Sequence, residues 1–267
     1  MKVGISTACL YPMETKLALQ TLLEKGFRHF EIFFNTYREI QPDYVGYLKS
    51  LLDEYGASVK SIHPFTSGFE GMLLFSNYET RTQDGMEFYR QYFRAANQLG
   101  AELVVLHGQR LHSCCQGNRI GYFASFSQLV QLGKADGVTV VQENVNGFLS
   151  QNPDFVQTMR QELGEDASFV FDIKQAVRAG VDPYEMCRAM GDRIVHIHLN
   201  DNDDHRDCLV PWQGTMDYSH LFGQLFDQGF SQDIILEVYR TNFESLEELW
   251  QVKRKMEALL RDFGKIV

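Results

Sequence analysis

Four residues that could share one job stand at the ends of apolar runs. Glu143 closes VTVVQE, Asp172 closes SFVFD, His198 lies in RIVHIHLND and Glu237 in DIILEVY. Two more imidazoles repeat the placement, His63 in SVKSIHP and His107 in ELVVLHG, and Asp201 follows His198 in the same stretch. A single acid after a strand is commonly a helix cap, and a single histidine a hydrogen-bonded packing residue. Six consecutive runs with the same ending need a common cause. Were Glu143, Asp172, His198 and Glu237 to converge, three buried carboxylates would repel, and some would be forced to protonate. A divalent cation removes that conflict. An oxygen-rich set with one nitrogen suits Mn²⁺, Mg²⁺ or Co²⁺ and accommodates Zn²⁺. One ion held by these four is the expectation. His63 and His107 form a second group beside Glu143, able to bind a second cation or to hydrogen-bond substrate hydroxyls.

The elements that must position these residues alternate. Strand-like runs fall at 2–8, 27–34, 58–64, 102–108, 138–146, 168–174, 193–201 and 233–239. Between and after them come helical patterns at 14–26 (opened by Pro12), 42–56, 80–100, 119–137, 152–164, a short pair around Pro183, 218–229 and 244–264. Asn152-Pro153 reads as an N-cap followed by proline at the first helical position. Strand-then-helix repetition argues for parallel strands covered by helices. Eight units in 267 residues match the roughly 250 residues of a single-domain (β/α)8 TIM barrel spanning 1–267. A doubly wound open sheet is the rival, but no GxGxxG follows any strand. In a barrel the strand C-termini form the active face, and every residue named above falls there.

The remaining histidines sort by position. His196 is expected to point away from His198 and pack outward among the helices. His29 begins a strand, at the wrong end for catalysis. His112, His205 and His220 lie in loops or helix starts, and only His205 stands near the mouth. Cys114-Cys115 reads as a loop detail with no paired base. Phe33, Phe34, Phe65 and Trp212 are candidates for apolar walls of a substrate site.

Composition narrows the partners. The net charge of −10 disfavours nucleic acid, whose binders gain affinity from basic surfaces. With 44% hydrophobic residues the chain can bury a large core. Five cysteines without a CxxC pair read as reduced thiols, and the absence of a signal-like segment or an 18-residue apolar run points to a cytoplasmic protein with no membrane association.

Taken together, VVQEN, FDIKQA, RIVHIHLNDN, QGTMDY and ILEVY, with VKSIHP and VVLHG, resemble the xylose-isomerase-like TIM-barrel superfamily over nearly the whole chain. That superfamily holds sugar isomerases and epimerases, inositol-pathway dehydratases and endonuclease-IV-type repair enzymes. In its ketose 3-epimerase branch the positions matching Glu143, Asp172, His198 and Glu237 hold one divalent metal, often Mn²⁺. The two glutamates also serve as acid and base around a metal-stabilised cis-enediolate. The resemblance therefore implies a metal-dependent sugar, sugar-phosphate or polyol isomerase or epimerase, with a dimer or tetramer as its assembly. An abasic-site endonuclease, an inositol-pathway dehydratase and a non-catalytic binding barrel are the alternatives. Two departures bear on the choice. The Asp-x-x-His common after strand six is here Asp172-Ile-Lys174-Gln175, so a three-zinc site would lose a ligand, and Gln175 becomes a candidate hydrogen-bonder to substrate. The Asp-x-His of the nucleases is imitated only by Asp203-Asp204-His205, at the wrong spacing, which leaves His205 as a candidate substrate contact.

Overall fold

The computed structural model describes residues 1–111 and 119–265. His112, Cys114 and Cys115 therefore lie outside the described residues. Eight strands, β1 (Val3–Ser6), β2 (His29–Phe33), β3 (Ser58–His63), β4 (Leu103–Leu106), β5 (Thr139–Glu143), β6 (Phe169–Asp172), β7 (Ile194–Leu199) and β8 (Ile234–Leu236), form one closed parallel barrel in sequence order. The seam closes where Val3, Gly4 and Ile5 of β1 pair with Ile234, Ile235 and Leu236 of β8. Gly4 is required there, because a Cβ would fall 2.5 Å from the carbonyl oxygen of His29.

The helices among the described residues are α1 (Thr15–Lys25), α2 (Pro42–Glu54), α3 (Glu70–Leu73), α4 (Glu79–Leu99), α5 (Arg119–Ala135), α6 (Pro153–Leu163), α7 (Ile173–Arg178), α8 (Pro183–Met190), α9 (Tyr218–Asp227) and α10 (Leu246–Asp262). Local chemistry sets their ends. Asn152 accepts from the backbone N–H groups of Asp154 and Phe155, with Pro153 at the first helical position of α6. Gly26 (φ 115°) ends α1 in the left-handed region. Pro12 does not open α1 as expected: Thr7–Leu10 form a short 3-10 turn first, and the helix starts at Thr15. The strands are also shorter than the apolar runs, so His107 and Glu237 sit just beyond β4 and β8.

Side chains alternate across each strand and divide the apolar set in two. Val104, Leu106, Val140, Phe169 and Phe171 join the core shared with the helices, whereas Leu103, Val105, Val141 and Val170 make a separate cluster. The second set fills the barrel interior, one pleat below the polar residues at the strand ends. None of the described helices is long and apolar enough to cross a membrane.

Candidate metal centre

Period-two alternation places the site. The inward positions of β5 run Val141 then Glu143, those of β6 Val170 then Asp172, and those of β7 His196 then His198. At the top of the barrel His198 Nδ1 lies 2.8 Å from Glu237 Oε2, 3.1 Å from Glu143 Oε1 and 3.5 Å from Asp172 Oδ2. Each of the four offers one ligand atom, and these atoms all fall within 4.8 Å of one another. The convergence expected of the last four units is present.

Neighbouring groups aim those atoms. Asp172 caps α7, its Oδ1 accepting from the Gln175 backbone N–H (3.3 Å) and from Asn200 Nδ2 (3.1 Å). Its Oδ2 faces His198 Nδ1 and accepts from the Lys174 ammonium. Asn144 clamps the same strand end: its Oδ1 accepts from the Asp172 N–H at 2.8 Å, and its Nδ2 donates to the Asp172 carbonyl at 2.9 Å. Gln142 Nε2 donates to the carbonyls of Leu106 and His107, tying β5 to the end of β4. His198 Nε2 meets Glu31 Oε2 at 3.1 Å, so Nδ1 is the nitrogen presented to the carboxylates.

His196 does not pack outward. Residues two apart on a strand share a side, so His196 lies inside the barrel under His198, and its Nε2 contacts Glu31 Oε2 and Ser61 Oγ, each at 3.1 Å. Ser61 Oγ donates to the same Glu31 oxygen at 2.8 Å. Glu31, Ser61 and His196 thus form a fully buried polar layer beneath the metal-capable residues. Burial works against the charge on Glu31, but His198 and His196 hold its carboxyl well below the usual range. The His196 pKa is lowered as well, mainly by burial, which favours its neutral imidazole.

The same balance runs through the upper layer. Burial would raise the Glu143 carboxyl, but His107, His198 and His63 outweigh it and keep the group well below the usual range. Glu237 is lowered to about 2, burial being offset by His198 and Lys174. Burial opposes the His198 imidazolium, yet Glu237, Glu31, Asp172 and Glu143 raise its pKa well above the ordinary value. The cluster therefore gathers positive charge. Glu143 Oε2 sits 2.9 Å from His107 Nε2 without hydrogen-bond alignment, a carboxylate oxygen still short of a partner. Three carboxylates and one imidazole with inward-aimed atoms fit a divalent cation.

Lys174 was not foreseen. It lies in the first turn of α7, buried, and its ammonium donates to the Asp172 carboxylate and to Glu237 Oε2 at 3.0 Å. Burial disfavours its charge, but Asp172, Glu237 and Glu143 together hold its pKa well above the usual lysine value.

A cavity of about 410 Å³ opens above this floor. Phe33, Phe65, His63, His107, Gln175 and Tyr239 are among its walls. The His63 ring stacks on Phe33 at 4.6 Å, and its Nδ1–H donates to the Pro64 carbonyl at 3.3 Å. His63 Nε2 then faces His107 Nε2 at 3.0 Å. These two with Glu143 make a second metal-capable group. Gln175 Oε1 accepts from the Asn146 N–H at 3.1 Å.

Other candidates fall elsewhere. His205 is exposed and lines a separate cavity of about 580 Å³ with Asp203, Asp207 and Thr241, on a loop no strand periodicity orients. Phe34, one residue past Phe33, turns into the helix-facing core. Trp212 packs on Tyr218 with ring centroids 4.9 Å apart and lines a different surface groove. Asp201 organises its own loop, accepting from the N–H groups of Asn202, Trp212, Gly214 and Met216. His29, at the foot of the barrel, contacts Ser58 and Asp233.

Comparison with known proteins agrees with this architecture. A family model described as xylose isomerase-like TIM barrel matches residues 19–261. An uncharacterized protein of Mycobacterium leprae is 27% identical, covering 93% of this chain and 92% of its own. Among solved structures, a D-tagatose 3-epimerase-like protein superposes with a TM-score of 0.80 at 20% identity over 99% of both chains. The IOLI protein with a bound zinc atom gives 0.76 at 16% identity, over 98% of this chain and 99% of its own. The chain belongs to the xylose isomerase-like TIM barrel family.

Proposed function

We propose that this protein is a divalent-metal-dependent isomerase or epimerase of a sugar or sugar derivative. The observation that carries the reading is the convergence of Glu143, Asp172 and Glu237 on His198 Nδ1 beneath a cavity of small-sugar size. The oxygen-rich donor set favours Mn²⁺, and the zinc of the IOLI structure makes Zn²⁺ the second choice. When bound, the ion would polarise a substrate carbonyl and the adjacent hydroxyl, acidifying the C–H beside them.

The side chains supply the proton traffic. Glu143 and Glu237 are ionised at neutral pH, so either can act as base. One carboxylate takes the proton from carbon, and the electron pair moves toward the carbonyl oxygen to give an enediolate. The other carboxylate takes a proton from solvent and delivers it to the enediolate, and the first returns its proton to solvent, which restores both ionised groups. Delivery to the opposite face of the same carbon inverts the centre, and delivery to the neighbouring carbon isomerises the sugar. His63, His107 and Gln175 offer hydrogen bonds to substrate hydroxyls, while Phe33 and Phe65 cover its apolar face.

One observation favours a second reading. The donor atoms of His63, His107 and Glu143 also lie within 4.8 Å of one another, as a multinuclear hydrolase acting on abasic DNA would need. The net charge of −10 argues against it. To decide, the metal-loaded protein is incubated with a panel of ketoses, inososes and their phosphates and, separately, with a duplex carrying one abasic site, and the products are separated. An epimer or an aldose supports the proposal. Cleavage of abasic DNA with no sugar converted would replace it.

A further inference from the structure

The Lys174 ammonium occupies the oxygens that a metal would need. Asp172 Oδ1 is committed to Asn200 and the Gln175 N–H, so Oδ2 is the oxygen free to ligate, and Lys174 takes that oxygen. Glu237 Oε2 is the oxygen facing His198 Nδ1, and Lys174 holds it too, at 3.0 Å. An ammonium and a divalent ion cannot both stay within bonding distance of the same two oxygens, because their mutual repulsion in a buried site is large. The lysine stem is long and its root lies on α7 rather than on the barrel wall, so the head group can move without disturbing the strand ends. It lies 5.9 Å from the Tyr239 ring, to which the Arg178 guanidinium is nearer at 5.0 Å, and Lys174 and Tyr239 both line the open cavity into which the ammonium can swing.

We propose that Lys174 is a built-in counter-cation that competes with the metal: it neutralises Asp172 and Glu237 when the ion is absent and withdraws into the cavity it lines when the ion binds. This rests on the metal-site reading above and adds a chain-specific control on ion affinity. Charge balance supports it. The three carboxylates Glu143, Asp172 and Glu237 are matched by one divalent ion plus one ammonium, while Glu31 beneath them keeps its contacts to His198, His196 and Ser61. The metal-free site keeps a cation against buried carboxylates that would otherwise repel. The cost is affinity, since ion binding must first break two charge-assisted hydrogen bonds.

The test is Mn²⁺ binding, by calorimetry and by the spin resonance of free Mn²⁺, at one fixed pH. Lys174→Met is expected to bind Mn²⁺ at least tenfold more tightly than wild type, and Lys174→Arg, which keeps the charge, to stay close to wild type. Lys174→Met can lower the stability of the metal-free fold, so thermal denaturation is measured with and without Mn²⁺. The rise in melting temperature on adding Mn²⁺ should be larger in Lys174→Met than in wild type. Equal or weaker Mn²⁺ binding by Lys174→Met overturns the competition while leaving the metal site standing. Absence of Mn²⁺ binding in both proteins overturns the metal site and the competition together.

Discussion

Glu31 and His198, on the non-adjacent strands β2 and β7, meet at 3.1 Å across the barrel interior. The contact uses His198 Nε2 and leaves Nδ1 as the atom that faces Glu143, Asp172 and Glu237. An imidazole whose far nitrogen donates to a carboxylate is fixed in orientation and is a more basic ligand. Glu31→Gln is therefore expected to weaken Mn²⁺ binding by about 10- to 100-fold, with turnover largely recovered at saturating metal. Metal titration followed by assay at saturation checks both parts.

The proposed acid/base pair gives a second prediction. Glu143→Gln and Glu237→Gln should each lower kcat by about 10²- to 10⁴-fold, because each removes a proton-transfer group and a negative ligand. Product formation under metal excess is the measurement, and near-wild-type kcat in either variant removes that glutamate from its assigned role.

The cavity wall gives a third. Phe33 stacks on His63 and lines the cavity without touching the carboxylates' proton chemistry. Phe33→Ala should raise KM several-fold and lower kcat less, a split read directly from steady-state kinetics.

Much of this arrangement was legible in the sequence. Runs such as VTVV, ended by Gln142-Glu143, and FVF, ended by Asp172, set both the strand and the end at which its acid emerges. Eight repeats then imply closure, which brings Glu143, Asp172, His198 and Glu237 together. The misses have physical reasons. Glu31 sits in HFEIF, between large apolar residues on both sides of the strand, where a charge looks like a solvent-facing position until the barrel closes around it. His196 follows from the two-residue period once applied correctly: it must share the side of His198. Lys174 escaped because it comes from the helix after β6, where strand alternation no longer gives direction. His205 and Trp212 lie on loops, whose geometry depends on contacts such as the four backbone N–H groups gathered by Asp201.

The foot of the barrel gives a fourth prediction, on stability. Asp233 accepts from the Lys2 backbone N–H at 2.6 Å and lies 3.0 Å from His29 Nε2. Burial raises its carboxyl, but His29 and the Lys2 N–H outweigh this and lower it to about 2. The unfolded-state value is about 3.9, so the folded value is depressed. The resulting stabilisation is present above about pH 4 and is lost as the pH falls toward about 2. Solvent screening at this partly exposed position reduces it to about 1 kcal/mol. Asp233→Asn should be less stable than wild type by that amount at neutral pH, and the gap should close below about pH 4 in denaturant titrations.

The most direct test of the central claim is solvent isotope exchange. Mn²⁺-loaded protein is incubated in deuterated water with ketoses and related polyol ketones, and each recovered sugar is examined by mass spectrometry and NMR. Deuterium at the carbon beside the carbonyl is expected, with exchange lost on chelation and in Glu143→Gln. A metal-loaded, folded protein that introduces no deuterium into any of these substrates would contradict proton transfer at carbon by this site.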